Sequence, residues 1–371
     1  MIADSPDIFS DARRFLGAHA SKLSAVPGRR RPPRFAFVAI GALFVLGLVA
    51  GLMRIWMAVA AISPTAQPAD LFALVGAGTT QEGSPAWKLD HGQSVNILLL
   101  GYGGTAHAGP YLTDSMLLLS LRDRGRRAVL LSIPRDLIAR IPALYAGGVI
   151  TARINNAYAI GVDRANFPAV RDEWKTPTGG GDLAAATVTD VTGQSIDAWV
   201  AVDFSAFRNL VDAVGGIDVD VPVALDDPRY PAGETTAYTH VHFDAGQQRM
   251  NGARALEYAR SRQTTSDFDR TARQRILLVA IRHRLGSLLD APRLIAALLA
   301  VQDDVRTNLR PPEFRRLVTL TSQLRDTDIR EATIDPTLLD RLPAPDGNYF
   351  LVPKDSTYRQ LRTSIAATIA S

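Results

Sequence analysis

The chain has 371 residues, 47% hydrophobic and 21% charged, with 28 Gly, 22 Pro and no Cys. That is enough apolar chain for one large domain or two modest ones, and it excludes wholesale disorder, a disulfide scaffold and thiolate metal sites. The formal net charge of +4 resides in a tail: residues 1–34 carry seven basic groups against three acidic, whereas residues 63–371 hold 33 basic against 34 acidic. A near-neutral main domain has no electrostatic case for nucleic acid, which is not expected as a partner.

From Phe35 to Met53 nineteen residues run without a charge, and Ile55–Ile62 extend them past Arg54. As a helix the uncharged run measures roughly 28 Å, about one hydrocarbon core. A buried core helix and a cleaved signal peptide are the alternatives. The RRRPPR cluster just before the run favours a transmembrane anchor over 35–62, because arginines stay on the cytoplasmic side. The tail 1–34 is then cytoplasmic and everything after about residue 63 faces outward. Residues 63–92, rich in Pro, Gly, Ser and Thr, read as a linker with a brief helix.

Residues 93–371 read as one extracytoplasmic domain. VNILLLGYGG (95–104), SMLLLSL (115–121) and AVLLSIPRD (128–136) are short apolar runs that predict buried strands. GDLAAATVTDVTG (181–193) predicts a helix ended by glycine, followed by the strand AWVAVDF. SAFRNLVDAV (205–214) has helical spacing, Gly215 and Gly216 stop it, and IDVDVP alternates as a strand. NGARALEYARSR (251–262) and RTARQRILLVAIRHRLGSLL (270–289) are further helices. LIAALLAVQDDVRTNL (294–309) and FRRLVTLTSQLRDT (314–327) also read as helices, and NYFLVPKDSTYRQLRTSIAATIA (348–370) as a strand and a helix. This alternation predicts an α/β class, a three-layer α/β/α arrangement around a central mixed sheet.

Residues 101–106, GYGGTA, have the form of a dinucleotide loop, but no helical period follows in HAGPYLTD, and no GxxxxGK[ST] segment exists. His240 and His242 flank a valine without any HExxH, and read as ordinary partly exposed residues. Arginines and aspartates carry more information. Arg135 and Asp136 end a buried strand, Arg260 and Arg262 end a helix, and DFDRTARQ supplies Asp267, Asp269, Arg270 and Arg273. Asp114 follows the glycine loop. Two readings fit: a solvated salt-bridge face, or a cationic pocket with two acids for a divalent cation. Arg forks match phosphate oxygens, and Mg²⁺ takes one or two carboxylates plus substrate phosphates.

LLLGYGG…LTDS, LLSIPRD, INNAYAIG, VDFSAFRNLVDAVGGIDVDVP, MNGARALEYARSR and DFDRTARQR, spread in order over residues 95–275, together resemble the LytR-CpsA-Psr family. The resemblance implies an outward-facing, singly anchored phosphotransferase with an apolar tunnel for a lipid tail. It would move a glycopolymer from a polyprenyl-pyrophosphate carrier to peptidoglycan. By motif, Asp114 and Asp267 would hold Mg²⁺. Arg135, Arg260, Arg262 and Arg270 would hold the pyrophosphate, with Arg273 as a further substrate contact or a structural residue. Leu112 stands where the family commonly has an Arg. A non-catalytic envelope protein that binds polyprenyl phosphate or glycan, or regulates wall genes, is the alternative, and a site degraded at Leu112 would favour it.

Overall fold

Leucine-rich stretches too short for helices and apolar on both faces have to be covered on two sides, and that requirement organises this chain. The computed structural model describes residues 34–74, 80–105, 109–231, 238–261, 267–286, 299–321, 324–345, 347–355 and 357–371. Its strands begin with β1 (Val95–Tyr102), β2 (Thr113–Arg122), β3 (Arg127–Ser132), β4 (Ile138–Ile141) and β5 (Ile150–Arg153). They continue with β6 (Ala198–Asp203), β7 (Ile217–Val221), β8 (Leu225–Pro231), β9 (Tyr238–Phe243) and β10 (Gly246–Met250). The last are β11 (Val305–Thr307), β12 (Ile329–Thr333), β13 (Leu339–Pro343) and β14 (Tyr349–Pro353). The helices used below are α1 (Arg34–Ile62), α2 (Pro85–Asp90), α3 (Asn156–Val162), α4 (Gly179–Thr192) and α5 (Phe204–Ala213). After them come α6 (Gly252–Arg260), α7 (Asp267–Gly286), α8 (Pro311–Thr321) and α9 (Arg359–Ala370).

Six strands form the central mixed sheet in the order β11-β6-β1-β2-β3-β12. β1 runs parallel to β6 and antiparallel to β2, and β12 is parallel to β3. Alternation along β1 sends Leu98 and Leu100 to one face, where α4 supplies Leu183 and Val188 and α9 supplies Leu361 and Ile365. Val95 and Ile97 meet Leu89 of α2 and Leu317 of α8 on the other face. The expected mixed sheet between helical layers is therefore present. A second core joins α5, α6 and α7 to the small sheets β7–β10 and β8–β9 around Ile217, Phe243, Tyr258 and Leu277. In β7 the IDVDV alternation is a clean buried–exposed pattern.

Three expectations differ from the structure. Val305–Thr307 lies in the stretch expected to be helical, yet it is an edge strand paired antiparallel to β6. Backbone pairing outweighs helical propensity in so short a segment; residues 294–298 of that stretch lie outside the described ones. The helix predicted from Gly181 starts at Gly179, through three glycines. A Cβ on Gly181 would lie 2.1 Å from the Trp199 ring, so close packing on the sheet overrides glycine's poor helix propensity. Residues 63–92, expected to be a linker, are docked where described. Asp70 is buried and pairs with Arg310 at 2.6 Å, and Ala86 and Leu89 are fully buried. Ser84 caps α2 by accepting from the Trp87 amide at 3.3 Å, with Pro85 in the first turn.

Two units divide the chain at Met53–Arg54. α1 covers the whole expected anchor segment, and its Leu46, Val49, Leu52, Met53 and Met57 side chains are exposed. Among the described residues no helix is long and apolar enough to cross a membrane. The side chains of residues 35–45 and 48 of the expected span lie outside that set.

Candidate functional site

Strand directions bring the chemistry-bearing residues to one end of the sheet. β1 and β6 finish side by side at Tyr102 and Asp203, and β2 starts opposite Tyr102 at Thr113. The glycine loop, Asp114 and the segment after β3 that carries Arg135 therefore share an edge.

Arg135 donates through Nη1 to Asp114 Oδ1 in a short ion pair, and its Nε lies 3.6 Å from Asp136 Oδ2. Asp136 is also 3.3 Å from Arg153 Nε, so one carboxylate braces two guanidinium groups. Asp114 and Arg135 keep 41% and 27% of their side-chain surface exposed, which leaves both open to a ligand from solvent. The INNAYAIG motif supports this corner from behind. The carbonyl of Asn155 accepts from the Thr113 amide at 3.2 Å, and the Asn155 amide donates to the Arg135 carbonyl at 3.4 Å. Ile133 and Leu137, flanking Arg135, are buried apolar residues. Leu112 takes the place of the expected arginine and ends a turn, its amide donating to the Gly109 carbonyl at 3.0 Å.

Helix α7 reaches the same corner. Ser115 Oγ donates to Gln274 Oε1 at 2.8 Å. Positions 267, 270 and 274 are spaced three and four residues apart and share one helix face. That face carries Arg270, which is buried, and Asp267, whose side chain lies outside the described ones. Arg262 also falls outside the described residues. Arg273, on the neighbouring face, donates to the Tyr258 carbonyl at 3.0 Å and to the Ser261 carbonyl by a short bond. Burial lowers its pKa, opposed by Tyr258 and acidic neighbours. Those carbonyls close the end of α6, where Arg260 projects.

Arg260 stacks on an aromatic ring. Its guanidinium carbon is 4.3 Å from the Phe204 ring centroid and 5.8 Å from that of Tyr230. Phe204 opens α5 directly after Asp203, whose carboxylate caps the helix by accepting from the Ala206 amide at 2.7 Å. Asp203 in turn touches the glycine loop. Gly104 has φ +85°, and a Cβ there would stand 2.8 Å from Asp203 Oδ2, so only glycine fits. Burial pushes the Asp203 carboxyl up, the Ala206 amide opposes this, and Asp304 adds to the rise. Beside it, burial raises Tyr102 strongly and pushes Tyr158 up to about 12, the two rings lying 5.1 Å apart.

Of the sequence-predicted residues, Arg135 and Asp114 are paired directly, Ser115 beside Asp114 ties β2 to Gln274 of α7, and Arg273 ties α7 to the end of α6, where Arg260 lies; Arg262 and the Asp267 side chain lie outside the described ones. Phe204, Tyr230 and Arg153 were missed. Phe204 sits in the VDFSAF motif, whereas nothing in the polar stretch around Tyr230 signals its partner. His240 and His242 face Asp226 at 2.6 and 3.0 Å on the exposed β8–β9 hairpin. Among the described residues no group of three or more His, Cys, Asp or Glu is arranged to hold a metal ion.

The LytR_cpsA_psr family matches residues 75–366. The chain belongs to this family. Among LytR_cpsA_psr relatives, the polyisoprenyl-teichoic acid–peptidoglycan teichoic acid transferase TagV of Bacillus subtilis (strain 168) is 28% identical over 273 residues, covering 73% of this chain and 63% of TagV. The protein of the same description named TagU, from Oceanobacillus iheyensis, is 30% identical over 228 residues, covering 61% of this chain and 62% of TagU. The chain therefore spans somewhat under two thirds of these relatives. The crystal structure of B. subtilis TagV aligns with a TM-score of 0.55 at 26% identity, over 75% of this chain and 97% of that one. A structure of TagT bound to LI-WTA aligns at 0.51 and 21% identity, over 75% and 91%, a likeness of fold.

Proposed function

We propose that this protein is a membrane-anchored phosphotransferase that moves a glycopolymer from a polyprenyl-pyrophosphate carrier to peptidoglycan and releases polyprenyl phosphate. The observation that carries the reading is the open Arg135–Asp114 pair at the sheet edge, in a chain whose relatives are named for transfer of polyisoprenyl-linked teichoic acid to peptidoglycan. An acceptor sugar hydroxyl attacks the glycan-linked phosphorus. A new P–O bond forms, the P–O bond to the polyprenyl phosphate breaks, and the hydroxyl proton is lost. The activated pyrophosphate drives the step, so no external ATP is needed.

Such a reaction asks for positioning and charge more than for covalent chemistry. Arg135, Arg260, Arg262 and Arg270 would bind the two phosphate groups, and Arg forks suit their oxygens. Arg273 would act one step behind them by fixing the end of α6. The donor set suits a hard cation: Asp114 offers a solvent-reaching carboxylate, and Asp267 lies on the helix face of Gln274, whose partner Ser115 adjoins Asp114. Asp114 and Asp267 would hold Mg²⁺, which when bound supplies charge to the phosphate oxygens. α1 is the anchor of this reading, with the basic tail inside and residues 63–371 outside. Its exposed Leu46, Val49 and Leu52 are side chains that lipid would cover.

The test is release of polyprenyl phosphate by the full chain in detergent, given a lipid-pyrophosphate glycan and peptidoglycan fragments. We expect release with Mg²⁺, its loss with chelator, and a drop of at least a hundredfold in Asp114→Ala and Arg135→Ala. Donor binding without release would identify the non-catalytic envelope protein instead.

A further inference from the structure

We propose that Phe204 and Tyr230 are positioning residues for Arg260: an aromatic clamp that aims its guanidinium at the phosphate of the donor. The inference rests on the transferase reading above. Three separate elements meet at this contact: Arg260 ends α6, Phe204 starts α5 and Tyr230 lies in β8. The guanidinium carbon is 4.3 Å from one ring centroid and 5.8 Å from the other. Among the described residues Arg260 has no ion-pair partner, and Glu257, one turn earlier, is taken by Arg254 at 2.7 Å.

The distinction is chemical. A carboxylate holding an arginine occupies part of the N–H fork that a phosphate would use. An aromatic face binds the same cation through its π cloud and leaves the in-plane N–H donors available. Both rings are themselves fixed. Asp203 caps α5 immediately before Phe204, and Tyr230 is buried, its phenol pushed up by burial against the pull of the Arg260 charge. Arg260 is therefore held with no carboxylate on its fork: one donor reaches the Tyr230 phenol and the others stay available. Arg135 is treated differently, since it is braced by carboxylates on both sides.

The clamp is tested by steady-state transfer with the full chain in detergent, varying a lipid-pyrophosphate glycan donor at saturating acceptor, with thermal unfolding of every variant. Phe204→Leu and Tyr230→Leu should each raise the donor KM about tenfold while staying folded. Phe204→Tyr, which keeps the ring, should stay within about threefold of the parent, and Tyr230→Phe, which keeps the ring but drops the phenol's hydrogen bond, should fall between the parent and Tyr230→Leu. In an Arg260→Ala background the leucine substitutions should have no further effect, because nothing remains to be aimed. Equal losses for aromatic and aliphatic replacements, or undiminished leucine effects in the Arg260→Ala background, would overturn the clamp. Full activity in both leucine variants beside a slow Arg260→Ala would overturn the clamp alone. Full activity in Arg260→Ala itself would overturn both the clamp and Arg260's place in the site.

Discussion

Ser115 donates a 2.8 Å hydrogen bond to Gln274, and this contact sets the spacing between the strand that carries Asp114 and the helix that carries Arg270. The two residues are far apart in sequence, so the bond is tertiary glue at the place where substrate charge would sit. Each of Ser115→Ala and Gln274→Ala should slow transfer about fivefold, the equivalent of roughly 1 kcal/mol for a neutral hydrogen bond. The double variant should be no slower than either single one. Steady-state rates for the three chains check this.

Arg273 is buried and gives its hydrogen bonds to the carbonyls of Tyr258 and Ser261. Its removal strands those carbonyls at the end of α6. Arg273→Ala should lower unfolding stability by about 3 kcal/mol, and Arg273→Lys should recover only part, since an ammonium cannot reproduce the fork. Urea unfolding midpoints measure both.

Asp70 and Arg310 form a two-pronged pair at 2.6 and 3.0 Å. Burial pushes the Asp70 carboxyl up, but Arg310 and the Gln67 amide outweigh it and hold the group below its ordinary value. A depressed carboxylate contributes stability that is present above its unfolded pKa, near 4, and is lost as pH falls through its folded value. Asp70→Asn should cost about 2 kcal/mol at pH 7. Its unfolding stability should also fall less steeply than the parent's as pH drops from 5 to 3.

Asp203 titrates in the opposite sense. Its carboxyl is raised chiefly by burial and further by Asp304, so the folded state loses stability as pH climbs from the unfolded pKa through the raised one. Asparagine keeps the cap on the Ala206 amide without the charge. Asp203→Asn should therefore unfold at a higher temperature than the parent at pH 7 and at the same temperature at pH 3. Asp203→Ala, which loses the cap, should be about 1 kcal/mol less stable than Asp203→Asn at both. Calorimetry at the two pH values decides it.

What could be read from the sequence was whatever local pattern determines. The leucine runs of β1, β2 and β3, the alternation in β7 and the glycine stops after α5 all report on their own neighbourhoods. The arginines and aspartates could be singled out one by one, but not the ion pair between Arg135 and Asp114, because nothing local encodes a contact across 21 positions. β11 escaped because three residues show no period and its reason to be a strand is the waiting edge of β6. Tyr230 escaped for the same reason: its meaning is the guanidinium opposite, supplied by another element.

The packing of Ile62 against Ala206 and Val301 has a mechanical consequence. It places the end of α1 against α5, whose first residue, Phe204, touches Arg260. The first turn of α5 is therefore backed by an apolar wedge that the chain inserts ahead of its first strand, and Ile62→Ala would leave a hole beneath that turn and let the Phe204 ring shift without touching it.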